Sequence, residues 1–514
     1  MLPRSAREED ALSPEPVVPR PLELRALVLV ALALFALHAS CLTSYGWFRD
    51  ELYYLSCAKR LAWGYVDHPP LSIALLAALR AVAGDSLVVA RLAAVAAGSL
   101  LVFVSAALAR ELGGGRWAQV VTAVTLGTAP IVLSATHTYS MNAFDLVFWA
   151  LATLLALRAY GSGGARTWLT LGAVLGLGLL GKWSVAWLGA GLAVALVASP
   201  ARRQLLTPWP YLAALLAGAI VAPNLVWEAS HGWPTLEFMR NASSHKMQPL
   251  DLAGLLGAQL LVLGPGAALI WVAGFVVALR RSAWRPLAIV WLVTLALLVA
   301  NGSARAGYLA LAAVPLFAAG AVWWEGRGRA VRGAVAIGSV ALSLPILPFA
   351  LPVLPVERFL AYQQALGRTP KSEERHRMGP LPQHYADMFG WPELADSVAR
   401  VTASLAPEER AGAIVRVGNY GEAGAIELFG AGRVPAVSCG HNNWAYWDAA
   451  WDGRVAIIVG EDSSDVAPLF ESVVVAAHAD HSLAMPYERH LPILVARGIR
   501  GDAREALAKG RHFE

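Results

Sequence analysis

Apolar residues along this chain gather in long blocks instead of recurring at every second, or every third and fourth, position. Eleven blocks can be drawn, at residues 26–48, 92–109, 117–136, 139–157, 167–181, 183–201, 204–227, 252–279, 286–304, 306–324 and 333–356. Most reach or approach the roughly 20 residues with which a helix crosses the hydrocarbon core of a bilayer. The pattern therefore predicts a polytopic α-helical membrane protein. A shorter segment, Leu71 to Ala83, follows Pro69-Pro70 and carries Arg80, so it predicts an interfacial helix lying on the membrane. After about Val356 charges return, as in Lys371-Ser372-Glu373-Glu374-Arg375-His376-Arg377. Beyond them, Trp391 to Leu405 has helical spacing, while Ala413 to Val417, Val455 to Val459 and Leu494 to Ala496 read as strands. The expected organisation is a cytoplasmic tail at 1–25, a transmembrane domain at 26–356 and a soluble α/β domain at 357–514.

Composition agrees with this division and adds an orientation. With 57% hydrophobic and 15% charged residues and a mean hydropathy of +0.52, the chain is too apolar for a soluble globule. If the N-terminus is inside, the inner segments hold sixteen Lys and Arg residues and the outer ones nine, five of them between Arg49 and Arg91. Cytoplasmic loops carry the positive excess. The first loop and the soluble domain are then expected on the extracytoplasmic face of the cell inner (plasma) membrane. A net charge of +5 and a pI near 9.1 are explained by those inner cations and call for no nucleic acid partner. Cys41, Cys57 and Cys439 show no paired metal spacing and read as packing residues. The N-terminal stretch has no cleavable apolar core, so the first span is expected to be a retained anchor.

The polar residues that interrupt this pattern cluster at the outer level. Asp50 and Glu51 follow the first block directly, where lipid meets water. The plainer reading of that pair is the cap of a helix beginning near Leu52, since acids favour helix N-termini. Asp145 lies about one turn into the fourth block, and an acid at that depth must pair, bind metal or face water. Its plainer alternative is a hydrogen bond to a neighbouring span. In Asp67-His68-Pro69-Pro70 the prolines stiffen the backbone and hold the two preceding side chains in place. Lys182, between the fifth and sixth blocks, can hold a phosphate or snorkel to head groups. The loop from Glu228 to Pro249 carries His231, Arg240, His245 and Lys246 beside Trp227 and Trp233, cations for a phosphate and aromatic faces for a sugar ring. Tryptophans at such levels also serve as interfacial anchors. Asp67, Asp145, His231 and His245 together supply enough oxygen and nitrogen ligands for a divalent metal ion, without a contiguous motif.

Three runs have a familiar order: Phe48-Arg49-Asp50-Glu51-Leu52-Tyr53-Tyr54, Gly64-Tyr65-Val66-Asp67-His68-Pro69-Pro70-Leu71 and Met141-Asn142-Ala143-Phe144-Asp145. Together they resemble bacterial family 39 glycosyltransferases, relatives of protein O-mannosyltransferases and of the transferases that add aminoarabinose to lipid A. Residues 418–426 and 438–443 resemble the soluble tail of the same bacterial subgroup. The resemblance implies a GT-C fold of about 11 spans, with the acidic motif and interfacial helices in the first outer loop. It also implies a polyprenyl-phosphate sugar donor and no nucleotide cofactor. Carried over by position, Asp50 is the base for the acceptor hydroxyl, and Asp67 and Asp145 match acidic positions that organise a metal or the acceptor; Asp50, Glu51 and Asp145 are the expected catalytic residues. Asp67, His68, Lys182 and Arg240 are the expected substrate-binding residues. In the aminoarabinose group a lysine precedes Pro-Pro; here His68 stands there, and a neutral imidazole holds phosphate less strongly.

The expected reaction moves a hexose or pentose to a hydroxyl of a protein, lipid or glycan in the cell envelope. A single displacement inverts the anomeric centre and needs only one carboxylate base. Two other readings are a transporter or flippase of lipid-linked sugars, which would use broken helices at the midplane, and a partner-binding domain on a membrane anchor.

Overall fold

The structure is a computed structural model that describes residues 20–248, 250–302, 305–370, 374–447, 451–503, 505 and 510–514. Most of the tail expected at 1–25, and residues 371–373 of the charged run, lie outside the described residues. Each of the eleven apolar blocks contains at least one helix. Among the described residues, five helices are long and apolar enough to cross a membrane: Leu87–Glu111, Met141–Gly161, Trp209–Ser230, Ala306–Glu325 and Arg329–Ala350. Counting each of two sharply bent helix pairs as one span raises the number to as many as seven. The chain is a multi-pass membrane protein. Leu71–Ala83 is a helix with the expected bounds.

Several blocks are broken where backbone chemistry demands it. The first block's helix, Leu24–Ala39, stops after 16 residues. The chain then turns through Tyr45 and Gly46, at φ of 64° and 85°, so Asp50 does not emerge straight from the end of a 23-residue span. Block 117–136 breaks before Pro130, which opens the helix Pro130–Ala135 at a position where its missing N–H costs nothing. Block 252–279 divides into Leu252–Val262 and Ala268–Arg280 around Gly264, at φ 93°. Hydropathy averaged over a long block does not resolve these turns, because each occupies only a few residues within an apolar stretch.

The helix Arg49–Lys59 is the element that joins the two parts of the molecule. Every residue from Glu51 to Ala58 is buried. Leu52, Tyr53, Leu55 and Cys57 share one apolar cluster with Ile73 and Tyr139 on one side and with Trp391, Val415, Ile426 and Ile457 on the other. It is a core helix and not an amphipathic surface one.

The C-terminal part is a five-stranded mixed sheet flanked by helices. Its strands are β1 (Ala413–Val417), β2 (Ala436–Cys439), β3 (Val455–Val459), β4 (Phe470–Ala479) and β5 (Leu491–Ile499), in the order β2-β1-β3-β5-β4. β1 pairs in parallel with β2 and β3, while β5 runs antiparallel to β3 and β4. The helix Trp391–Ser404 packs on the helix Tyr420–Phe429, with Leu394, Val398 and Val401 buried in the same cluster as Val415 and Ile457. All three cysteines are buried and free.

A buried acid pair, Glu422 and Glu488, stands beside this helical layer. Burial pushes the Glu422 carboxyl up to about 7, and burial with the neighbouring Glu422 pushes Glu488 well above the usual range. Unfolded, both would ionise near 4.5. The folded state therefore binds more protons than the unfolded one, and stability falls as pH rises through the folded values. Thermal melting should drop between about pH 5 and pH 8, with a shallower slope in Glu488→Gln; identical slopes would remove the pair as the cause.

Candidate active site

The first turn of the Arg49–Lys59 helix sorts its two acids into different roles. Glu51, three residues after the N-cap Phe48, turns back so that Oε2 accepts the Phe48 N–H at 2.9 Å. Its carboxylate also accepts Arg91 Nε at 2.9 Å, Arg91 Nη2 at 2.8 Å and the Tyr139 N–H at 2.8 Å. Arg91, fully buried, donates in addition to the Leu42 and Gly46 carbonyls that form the preceding turn. With four donors on its two oxygens and 1% of its surface exposed, Glu51 is a framework residue. Glu51, expected among the catalytic residues, does not line the cavity that Asp50 faces.

Asp50, one residue earlier, points to a different side of the helix and keeps 37% of its side chain exposed. It lines a cavity of about 290 Å³ together with His137, Asp145, Lys182, Arg305 and Tyr308. Asp145 is the fifth residue of the helix Met141–Ser162, just past its first turn. It accepts the Ser184 hydroxyl at 2.7 and 2.8 Å and lies 3.6 Å from Lys182 Nζ. Lys182, in the extended residue that ends the helix Ala165–Gly181, also donates to Asn142 Oδ1 at 2.6 Å and sits 5.2 Å from the Tyr308 ring centre. Arg305 precedes the helix Ala306–Glu325 and pairs with Glu374 at 3.1 Å. Burial pushes the Glu374 carboxyl up, but Lys246, Gln383, Arg49 and Arg305 outweigh it and hold it below the usual range. Burial, reinforced by Arg49, lowers the Lys246 ammonium. One carboxylate with room for a substrate thus faces a half-buried shell rich in cations.

The whole arrangement has solved counterparts. The chain matches ArnT from Cupriavidus metallidurans in the apo state with a TM-score of 0.59 at 14% identity, covering 96% of this chain and 99% of that one. The chain has the GT-C fold. The same ArnT bound to undecaprenyl phosphate matches at 0.55 and 16% identity, over 92% of this chain and 97% of that one. The mycobacterial arabinofuranosyltransferase AftD matches at 0.51 and 14% identity, over 93% of this chain but 40% of its own. Residues 67–227 match the family model of dolichyl-phosphate-mannose-protein mannosyltransferases. No curated protein matches the chain in sequence.

Within this GT-C frame the other expected residues fall outside the cavity. Asp67 accepts the Tyr53 hydroxyl at 2.9 Å, and burial raises its carboxyl. His68 is enclosed by the rings of Tyr54, Tyr65 and Tyr53 at 4.6, 4.9 and 5.8 Å, with no exposed side-chain surface. Its imidazole packs within the first loop and does not line the cavity. Arg240 is exposed on the helix Pro234–Asn241 and is not part of the cavity wall.

The expected metal ligands do not form a set. Among the described residues no group of three or more His, Cys, Asp or Glu side chains is placed to hold a metal ion. Asp145 is engaged by Ser184 and Lys182, His231 stacks on Trp227 at 4.2 Å and contacts its carbonyl at 2.8 Å, and His245 is exposed. Asp67 is held by Tyr53. These residues do not fit a divalent ion as they stand.

Three functional neighbours escaped the sequence reading. Arg305 was visible only as one more outer-level cation. Arg91 is buried near the start of an apolar block, which signals an acidic partner without saying which. Tyr420, from the C-terminal domain, donates to Asp50 Oδ1 at 3.0 Å, across 370 residues of chain.

Proposed function

We propose that this protein transfers a hexose or pentose from a polyprenyl phosphate to a hydroxyl of a cell-envelope acceptor, with Asp50 as the base and inversion at the anomeric carbon. The observation that carries the reading is that Asp50, Asp145, Lys182 and Arg305, from four separate segments, line one cavity. The match to the mannosyltransferase family model and to an ArnT structure holding undecaprenyl phosphate support the donor class. On this reading about eleven spans at 26–356 carry the site, and residues 357–514 cover it at the extracytoplasmic face of the inner membrane.

In the proposed step Asp50 takes the proton of the acceptor hydroxyl as its oxygen bonds to the anomeric carbon. The bond from that carbon to the phosphate oxygen breaks, and polyprenyl phosphate leaves. Lys182 and Arg305 stabilise the charge that develops on the departing phosphate. Asp145 and Asn142 aim the Lys182 ammonium.

Purified protein given a polyprenyl-phosphate sugar and acceptor should release polyprenyl phosphate in step with product. Movement of intact lipid across sealed vesicles, with no such release, would instead show a flippase. Lys182→Met and Arg305→Met should each raise the apparent Kd for polyprenyl phosphate roughly 10- to 100-fold, since a hydrogen bond to a charged group is worth about 1.5–3 kcal/mol. Unchanged lipid binding in both variants would remove these cations from the phosphate site.

A further inference from the structure

We infer that the C-terminal domain supplies a part of the catalytic site itself, through Tyr420 acting as the positioning residue for Asp50. This rests on the reading of Asp50 as the base.

Local chemistry places Tyr420 with little freedom. The helix Tyr420–Phe429 starts at Asn419, whose Oδ1 caps it by accepting the N–H groups of Gly421 and Glu422 at 2.9 and 3.1 Å. Gly421 and Gly424 are three apart and so share a face, and that face meets the Arg49–Lys59 helix. A Cβ on Gly421 would strike the Arg49 side chain, and one on Gly424 would lie 2.8 Å from the Leu52 carbonyl carbon. Only glycine lets the two backbones approach this closely. Glu427, further along the same helix, accepts Ser56 Oγ at 2.6 Å and Arg60 Nη2 at 2.7 Å. Beyond β2, Asn443 accepts the Val66 N–H at 2.9 Å and donates its own to the Tyr53 hydroxyl at 3.2 Å.

The Tyr420 ring is thereby held 4.7 Å from the Tyr53 ring and 5.2 Å from the Arg49 guanidinium carbon. Its hydroxyl reaches Asp50 Oδ1. Arg49, the other polar neighbour of that oxygen, is 3.9 Å away. Among the described residues Asp50 Oδ2 has no hydrogen-bond partner. Donation to one oxygen fixes the carboxylate plane and leaves the other free for the acceptor hydroxyl. Positioning of this kind matters because a small misplacement of a reacting group costs on the order of 10²-fold in rate. The domain is then more than a cover or a recognition module.

Three substitutions at residue 420, compared with the native tyrosine, separate donation from packing. Tyr and 4-aminophenylalanine at 420 both present a donor to Asp50; Phe and 4-methoxyphenylalanine keep the ring and lose it. Both non-donors should lower kcat roughly 10- to 100-fold with donor-lipid KM unchanged, and 4-aminophenylalanine should restore most of it. Activity that follows ring size and ignores donor ability would overturn the inference. In an Asp50→Glu background, where the carboxylate is displaced, Tyr420→Phe should add little; an undiminished further loss there would mark a merely structural effect and also overturn it. Asp50→Asn separates this inference from the one beneath it. Full turnover in Asp50→Asn would sink the base assignment, whereas an inactive Asp50→Asn with a fully active Tyr420→Phe would sink only the role of Tyr420.

Discussion

Asp50→Asn should yield a folded, membrane-inserted protein whose turnover is lower by about 10²- to 10⁴-fold, the usual contribution of a positioned general base. The amide keeps the shape of the side chain and can still accept from Tyr420, so packing at the helix start is preserved. What it lacks is the ability to take a proton. Glu51 does not substitute, although it is the next residue, because its oxygens already accept four N–H groups and it stands off the cavity. Lipid binding should change little, since the phosphate contacts are assigned to Lys182 and Arg305. The measurement is single-turnover rate beside equilibrium binding of polyprenyl phosphate. Loss of binding as large as the loss of rate would show that Asp50 serves the donor and not the acceptor.

Glu51→Ala should produce the opposite signature, a loss of stability. Its removal leaves the fully buried Arg91 guanidinium without its carboxylate, and breaking a buried pair from one side costs about 3–5 kcal/mol. The Phe48 and Tyr139 N–H groups lose their acceptor at the same time. The turn through Gly46, tied by Arg91 to the Arg49–Lys59 helix, should loosen with it. Thermal melting in nanodiscs should fall clearly, and whatever fraction remains folded should keep a substantial share of its turnover. A stable but inactive Glu51→Ala protein would return Glu51 to the chemistry.

Adjacent acids with such different fates explain how far the sequence could be read. The apolar blocks were legible because burial in lipid demands only hydropathy and length, and every block contains a helix. Leu71–Ala83 was legible from its short apolar stretch after Pro69-Pro70 with Arg80, Trp391–Ser404 from helical spacing, and the strands β1 and β3 as short apolar runs. β4 was not, because most of it is exposed, it ends the sheet, and a register shift between Val475 and Ala477 blurs its alternation. Among the site residues, Asp50, Asp145 and Lys182 stood out because a charge beside lipid is costly wherever it sits. Their convergence with Arg305 depends on which helices neighbour each other, and one chain does not encode that locally. His68 and Glu51 stood out for the same reason, yet both are buried away from the cavity: polarity marks a residue as notable, while three-dimensional surroundings separate an enclosed group from one that lines a cavity.

The proposed transfer requires that the cavity beside Asp50 receive the lipid phosphate. A cryo-EM structure of the protein in nanodiscs with a polyprenyl phosphate tests this most directly. Phosphate density within hydrogen-bonding distance of Lys182 and Arg305, on the side of the cavity that Asp50 faces, is the predicted result. Well-ordered phosphate bound elsewhere, with that cavity closed to it, would contradict the assignment of the site.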